Sequence, residues 1–289
     1  MGSPLSDWSY REAFVRNRGL IPDGHQDILR EAHIAIAGLG GVGGVYATTL
    51  ARLGIGNFSI ADSDVFELVN MNRQAGATTK TLGQEKAKII ENMILDINPS
   101  ARVTRFPAIT SDNVGAFLEG VDVLIDGIDF FSIEARRLLF KEARARRIPT
   151  ITCAPIGFGA SLLTFAPETM SFDTYFRIDD SMSRHEQLLS FALGLSPLLI
   201  HRSYFKPKSF DLHGEVAPSS VIATMACANL VTTQVYKILN SLEYDTAPLS
   251  AQFDPYVQQF QRFTLWGGNR NPLQLLKKWY FKRILNLKW

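Results

Sequence analysis

The chain has 289 residues, 46% of them hydrophobic, which is enough apolar material for one large domain or one domain with appendages. Its formal charge of +2 is too small to make nucleic acid the main partner, and no run of eighteen apolar residues is present to span a membrane. Only two cysteines occur, Cys153 and Cys227. They exclude a disulfide framework and a four-cysteine zinc site within one chain, so a reduced, cytoplasmic protein without zinc is expected.

The opening MGSPLSDWSYREAF carries no apolar stretch of signal-peptide type, and residues 1–30 read as an N-terminal helical segment. Short apolar runs then recur at 33–38 (HIAIAG), 57–62 (NFSIAD), 102–107 (RVTRFP), 121–126 (VDVLID) and 149–153 (PTITC). Their length and their Val/Ile content favour strands over buried helix segments. Helical patterns fill the gaps at 43–53, 83–96, 112–119 and 131–147. The last ends in Arg144, Arg146 and Arg147, where the helix dipole favours cations. This alternation predicts a Rossmann-like α/β domain over 31–165, with a mostly parallel sheet and helices on both faces.

After residue 153 the rhythm changes. A further strand is expected at 161–166 (SLLTFA), followed by the aromatic stretch FDTYF and by helices at 184–194 and 217–240. The second of these helices is apolar enough to pack beneath the sheet. Residues 166–266 are therefore expected to supply additional antiparallel strands, a substrate or crossover region and a C-terminal helix. Residues 267–289 form a basic amphipathic tail.

The loop Gly38-Leu39-Gly40-Gly41-Val42-Gly43-Gly44 follows the first strand and opens the first helix, satisfying G-x-G-x-x-G in its required context. Glycines let the backbone turn sharply and approach a nucleotide, while the helix N-terminus offers free N–H groups to phosphate oxygens. Asp62 and Asp64 end the second strand, where a ribose hydroxyl would lie. A structural turn without ligand is the plain alternative.

The next segment separates the possible nucleotides. Asn70 and Arg73 follow the acids closely, and Lys86 opens the next helix. A nicotinamide dehydrogenase has no need of fixed cations there. Displacement at a nucleoside triphosphate does, because charge develops on the α-phosphate and on the leaving pyrophosphate. Asp129 lies just past the fourth strand, at the sheet edge where ligands sit, and is a candidate Mg²⁺ ligand. Asp126 can instead be a strand-end cap.

Taken together, GLGGVGG, ADSDVFELVNMNRQ, GQEKA, DINPSARV and DGID resemble the ThiF/MoeB/ubiquitin-activating superfamily over roughly residues 14–165. The resemblance implies ATP and Mg²⁺ as ligands, with Gly41 approaching the phosphates and Asp62 the ribose. Asn70, Arg73 and Lys86 would contact phosphates and Asp129 the metal. It also implies an N-terminal arginine that reaches into a neighbouring subunit's site. Arg16 is the preferred equivalent over Arg18, so a homodimer is expected.

The departures matter too. The paired C-x-x-C zinc motifs of some relatives are missing, and residues 165–220, where thioester-forming members carry their nucleophile, contain no cysteine. Asp129-Phe130-Phe131 stands where many relatives read Asp-Asn. The resemblance therefore implies an adenylyltransferase that activates a carboxylate without an enzyme thioester. In this superfamily the carboxylate belongs to a ubiquitin-like carrier, a peptide or a modified tRNA. Phe172, Tyr175, Phe176, Phe191, Tyr204 and Phe205, with His185, His201, His213, Arg177 and Arg202, fall in the region expected to shape that choice. Two other readings stay open: a degenerate ThiF-like scaffold and a dinucleotide-dependent oxidoreductase.

In the tail, residues 269–289 contain six Lys/Arg and no acid, interleaved with leucines and aromatics. The expectation is a helix docked on its own domain or on a dimer partner, with the basic residues facing water. Contact with an anionic membrane surface is the less favoured alternative.

Overall fold

The computed structural model describes residues 8–205 and 217–284. His213 and the last five residues of the tail lie outside them. One eight-stranded sheet organises the molecule, in the order β3-β2-β1-β4-β5-β6-β7-β8. Strands β1 (His33–Ala37), β2 (Asn57–Ala61), β3 (Arg102–Phe106), β4 (Val123–Asp126) and β5 (Thr150–Ile156) pair in parallel. Strands β6 (Gly159–Phe165), β7 (Leu249–Asp254) and β8 (Gln259–Thr264) continue the sheet antiparallel. The Rossmann-like expectation holds, antiparallel extension included.

Alternation decides which helices cover which face. Helices α1 (Tyr10–Ala13) and α2 (Asp23–Glu31) precede the sheet. Ile34 and Ile36 of β1 join the core formed with α3 (Gly43–Leu53), α4 (Lys86–Ile97) and α9 (Val221–Leu239). Ala35 and Ala37 point the other way, into a core with α5 (Val114–Phe117) and α6 (Ile133–Ala145). Both faces being covered, β4 is buried along its whole length. The predicted packing of the 217–240 helix is realised: Cys227, Val231 and Val235 of α9 are fully buried.

A second apolar core lies on the α7 (Phe172–Phe176) and α8 (Arg184–Leu195) side of β6. Phe172, Tyr175, Phe176 and Phe191 are buried in it. Aromatics expected to shape the substrate surface are instead the filling of this core. The β7–β8 hairpin was not located in the sequence because β8 is a sheet edge, exposed over most of its length and rich in glutamine.

The tail helix α10 (Pro272–Ile284) packs along α8, but not in the expected orientation. Lys277, Lys278 and Lys282 face the protein, donating to Pro197 O, Ser190 Oγ and Glu186. Among the described residues no helix is long and apolar enough to cross a membrane.

Candidate nucleotide site

The order of the strands reverses between β1 and β4, and such a switch point leaves a crevice at the carboxyl ends of the strands. The glycine loop occupies it. Gly38 has φ +86°, a left-handed conformation that a side chain would strain, and a Cβ there would stand 2.3 Å from Gly127 O. At Gly43 a Cβ would lie 1.8 Å from Gly38 O. These two glycines let the β1 end, the β4 end and α3 touch backbone to backbone. Gly40 and Gly41 differ, since a Cβ at either would meet only side-chain atoms at 3.7 Å. They form the part of the loop that a ligand can approach.

Asp62 is tied to that loop. Its Oδ2 accepts from Leu39 N at 2.7 Å and its Oδ1 from Asp64 N at 2.8 Å. Each oxygen keeps a further lone pair for a hydroxyl donor.

Lys86 reaches the site through local pairing that shortens the expected 83–96 helix. Phe66 N donates to Gln84 O, Gly83 N to Phe66 O and Lys86 N to Asp64 O, so residues 83–85 form a bridge rather than a first helical turn. The bridge sets the Lys86 ammonium 3.0 Å from Asp64 Oδ2, with Lys86 buried and Asp64 exposed. A cation held this way is preorganised, and its exposed partner is the easier of the two to displace.

Arg73 is positioned from the other side. Its guanidinium Nη1 donates to Val69 O at 3.0 Å and to Asn72 Oδ1 at 2.8 Å. Asn72 Nδ2 in turn donates to Ser219 O at 3.1 Å, joining this segment to the residues that precede α9. The Arg73 side chain faces Gly41, as does Thr224 in the first turn of α9. Two helix N-termini, those of α3 and α9, therefore converge on the same glycine. Asn70 is buried, and its Oδ1 accepts from Glu67 N at 2.9 Å. Gln74 packs beside Gly40, and its buried Oε1 has no partner.

The loop that carries Asp129 is anchored by a residue absent from the sequence reading. Arg136, buried on α6, donates through Nε to Asp126 Oδ2 at 2.8 Å. Its Nη2 donates to Ile128 O at 2.5 Å and to Asp129 O at 3.1 Å, and its Nη1 to Phe130 O at 3.3 Å. Thr152 Oγ1 adds a bond to Asp126 Oδ2 at 2.8 Å. Asp126 is thus the counter-ion of a buried arginine and also caps the strand end, its Oδ1 accepting from Ile128 N at 3.1 Å. Phe130 and Phe131 insert beside the second core, with Phe130 stacked on Phe191 at 5.3 Å between ring centres. That packing accounts for the two phenylalanines after Asp129. Asp129 itself is exposed, and its Oδ1 accepts from Phe131 N at 3.0 Å. An exposed carboxylate beside the glycine loop suits Mg²⁺, which takes one or two carboxylates and completes its shell with phosphate and water.

Arg16 and Arg18 are not at this site within one chain. Their segment packs on the far end of α3, where Tyr10 Oη donates to Gly54 O at 2.6 Å and Gln26 Nε2 to Leu53 O at 3.0 Å. An eleven-residue helix, about 16 Å long, separates that end from the glycine loop. Arg16 is exposed, and Arg18 pairs with Asp23 at 3.5 Å.

Of the remaining candidates, His201 is buried, with Nδ1 3.4 Å from Ser196 Oγ. Burial pushes its pKa down. Tyr204 Oη donates to Asp254 Oδ2 at 2.5 Å and accepts from Phe158 N at 2.8 Å. Burial and the carboxylate push its phenol up to about 12. Arg177 and Arg202 are exposed and His185 half-buried. Both cysteines are buried side by side, and burial pushes the Cys153 thiol well up, the opposite of what a nucleophile requires.

A doubly wound sheet with a glycine loop at its switch point, an acid on the loop amide and two held cations beside it defines a Rossmann-like nucleotide-site architecture. The family model "ThiF family" matches residues 14–275, and the chain belongs to that family. It is 34% identical over 159 residues to the tRNA threonylcarbamoyladenosine dehydratase of Escherichia coli K12, covering 54% of this chain and 58% of the relative. It is 30% identical over 166 residues to the molybdopterin-synthase adenylyltransferase of the same organism, covering 56% and 66%. The sulfur carrier protein ThiS adenylyltransferase of E. coli K12 is 30% identical over 146 residues, covering 50% and 57%. The chain therefore matches between 57% and 66% of the length of these curated relatives. Among solved structures, PaaA superposes with a TM-score of 0.64 at 19% identity, covering 91% of this chain and 74% of PaaA. E. coli MccB with ATP superposes at 0.59 and 20% identity, covering 83% and 66%. These likenesses are of fold.

Proposed function

We propose that this chain binds ATP with Mg²⁺ and adenylates a carboxylate. An oxygen of the substrate carboxylate attacks the α-phosphorus, the bond from that phosphorus to the α,β-bridging oxygen breaks, and pyrophosphate leaves with its electron pair. The observation that carries the reading is the pair of held cations: Arg73, fixed on Val69 O facing Gly41, and Lys86, fixed on Asp64 next to the Asp62 that binds the loop amide. Preorganised cations aimed at developing phosphate charge lower the barrier with no reorganisation at the moment of reaction. The names of the three curated relatives, two adenylyltransferases and a dehydratase, support the same class.

In this reading Gly40 and Gly41 admit the phosphates, and the N-termini of α3 and α9 face them. Asp62 meets the ribose, and Asn70 and Gln74 offer amide groups. Asp129 would hold the Mg²⁺, which neutralises phosphate charge when bound. The reaction passes through no enzyme thioester, because both cysteines are in the core. The substrate presents a carboxylate at the end of a carrier protein or peptide, or one on a tRNA. Phe158 and the exposed Tyr256, beside Tyr204 at the carboxyl edge of the sheet, offer it an approach. The protein acts in the cytoplasm.

The active unit in this proposal is a homodimer. Leu68, Val69 and Met71, just before Arg73, are exposed, as are Val221, Ile222 and Met225 at the start of α9. The Asn72–Ser219 bond joins the two groups into one apolar rim beside the nucleotide. A second copy covering this rim would bring its Arg16 to a site that its own chain leaves without it.

Two measurements test the reading. Isothermal titration is expected to show binding of ATP·Mg²⁺ and not of NAD⁺. NAD⁺ binding alone would favour an oxidoreductase, and binding of neither a scaffold. The double variant Cys153→Ala/Cys227→Ala is expected to keep pyrophosphate release per folded molecule within about twofold, since neither thiol is accessible. Loss of activity in a variant that still melts cooperatively would restore a cysteine nucleophile.

A further inference from the structure

Helix α10 is inside out. Its polar face is turned to the protein: Gln274 Nε2 donates to Leu193 O at 2.9 Å, Lys277 Nζ to Pro197 O at 2.5 Å and Lys278 Nζ to Ser190 Oγ at 2.6 Å. Lys282 pairs with Glu186 one turn further on. Within α8 the partners run backward, Leu193 to Ser190 to Glu186, as α10 runs forward from Gln274 to Lys278 to Lys282, so the two helices are antiparallel and this polar ladder sets the rotation of α10. Burial pushes the Lys278 ammonium down to about 8, consistent with its removal from water.

The outward face is apolar. Leu273 and Leu276 are 67% and 60% exposed, Tyr280 54% and Trp279 43%. Leu273, Leu276 and Tyr280 form a stripe at the helical period, and Leu275 and Trp279 lie beside it. Trp266 is exposed just before the helix, and its carbonyl accepts from Asn271 Nδ2. Single exposed leucines need no explanation, but a contiguous stripe held outward by four polar anchors does.

Charge selects what covers it. The exposed Arg270 and Arg283 flank the stripe, with the Arg283 guanidinium 4.2 Å from the Trp279 ring centre. Residues 269–289 contain no acid, and with Lys277, Lys278 and Lys282 turned onto the protein it is Arg270 and Arg283 that set the charge beside the stripe among the described residues. A second copy laid on this face would meet the same arginines with no carboxylate from the segment to pair them. A bilayer with anionic headgroups satisfies both properties, since leucine, tryptophan and tyrosine settle at the headgroup boundary while arginine meets lipid phosphate.

We propose that the α10 face of Leu273, Leu276, Trp279 and Tyr280, flanked by Arg270 and Arg283, docks on the surface of an anionic membrane. The protein lies on the bilayer without crossing it. The lysines of the helix, tied to α8 and its flanking turn, keep the apolar stripe presented. This proposal is independent of the adenylating chemistry.

The test mixes the full chain, without nucleotide, with phosphatidylcholine vesicles that contain or lack phosphatidylglycerol, followed by flotation. The protein is expected to float with the anionic vesicles. Partition should fall about tenfold or more on neutral vesicles or in high salt. It should fall about tenfold or more on anionic vesicles for Leu276→Ser/Trp279→Ser. Thermal melting of that variant checks its fold, and Leu273→Ser/Leu276→Ser serves if it melts early. Failure of the wild-type protein to float with anionic vesicles overturns the proposal, as does flotation of both folded variants like the wild type. A dimer by sedimentation that these substitutions dissociate would assign the face to a second copy and also overturn it.

Discussion

Arg73→Ala is expected to lower ATP-dependent pyrophosphate release by roughly 10²–10³-fold, the range seen when one preorganised donor to a developing charge is removed. The reason lies in how the guanidinium is held. Val69 O and Asn72 Oδ1 fix it before any ligand arrives, and it faces Gly41, where the proposed reading puts the phosphates. Fold stability should change little, because the side chain is only half-buried and makes its hydrogen bonds within its own segment. Quantitative pyrophosphate assay with any accepted carboxylate, paired with a thermal melt, separates the two effects. Near wild-type release from the folded variant would remove Arg73 from the chemistry. Arg73→Lys is the informative companion, since an ammonium keeps the charge but cannot bond both oxygens and face the loop in one plane. An intermediate rate is expected for it.

Arg136→Ala should do the reverse, acting first on the fold. The guanidinium and Asp126 form an ion pair with both side chains almost fully buried, and removing one partner strands the other charge in the core. Such a loss costs about 3–5 kcal/mol, so a fall in melting temperature on the order of 10 °C is expected. The carbonyls of Ile128, Asp129 and Phe130 lose their shared donor at the same time. Activity measured well below the new melting point should therefore also fall, because the Asp129 carboxylate is no longer held beside the glycine loop. A double-mutant cycle with Asp126→Ala checks the assignment. Coupling of about 1–3 kcal/mol is expected, and additive losses would show that the two side chains do not act as a pair.

Arg136 also illustrates why some of the site was hidden. It stands next to Arg137 on an amphipathic helix, and nothing local distinguishes them. Arg137 bonds Asp173 and the exposed Asp180, whereas Arg136 points inward onto Asp126 and under the ring of Phe191, with 4.5 Å between charge and ring centre. The difference is one helical position, about 100° of rotation, and only the packing of α6 against the sheet reveals which residue faces in. Gln74 and Thr224 were missed for a related reason. Both lie beside the glycine loop, yet Thr224 is some 180 residues later in the chain and reaches it because α9 packs on the same face of the sheet as α3. The six strands from 33 to 166 were legible from their apolar runs. The β7–β8 hairpin was not, because an edge strand exposed to water need not be apolar.

The tail shows the limit most directly. Its composition already told that six cations and many apolar residues share one segment, and the helical period told that they separate into faces. Which face meets the protein cannot follow from amphipathicity alone, because a helix buries its polar side when the surface beneath it offers carbonyls, a serine and a glutamate in register. The sequence by itself determined the alternation of strands and helices, the glycine loop between a strand and a helix, and the order of acids and cations after it. Those are local properties, written in period and spacing. Tertiary structure decided which groups are buried as pairs, which helix ends converge on the loop and which way the tail faces. These depend on contacts between residues far apart in the chain.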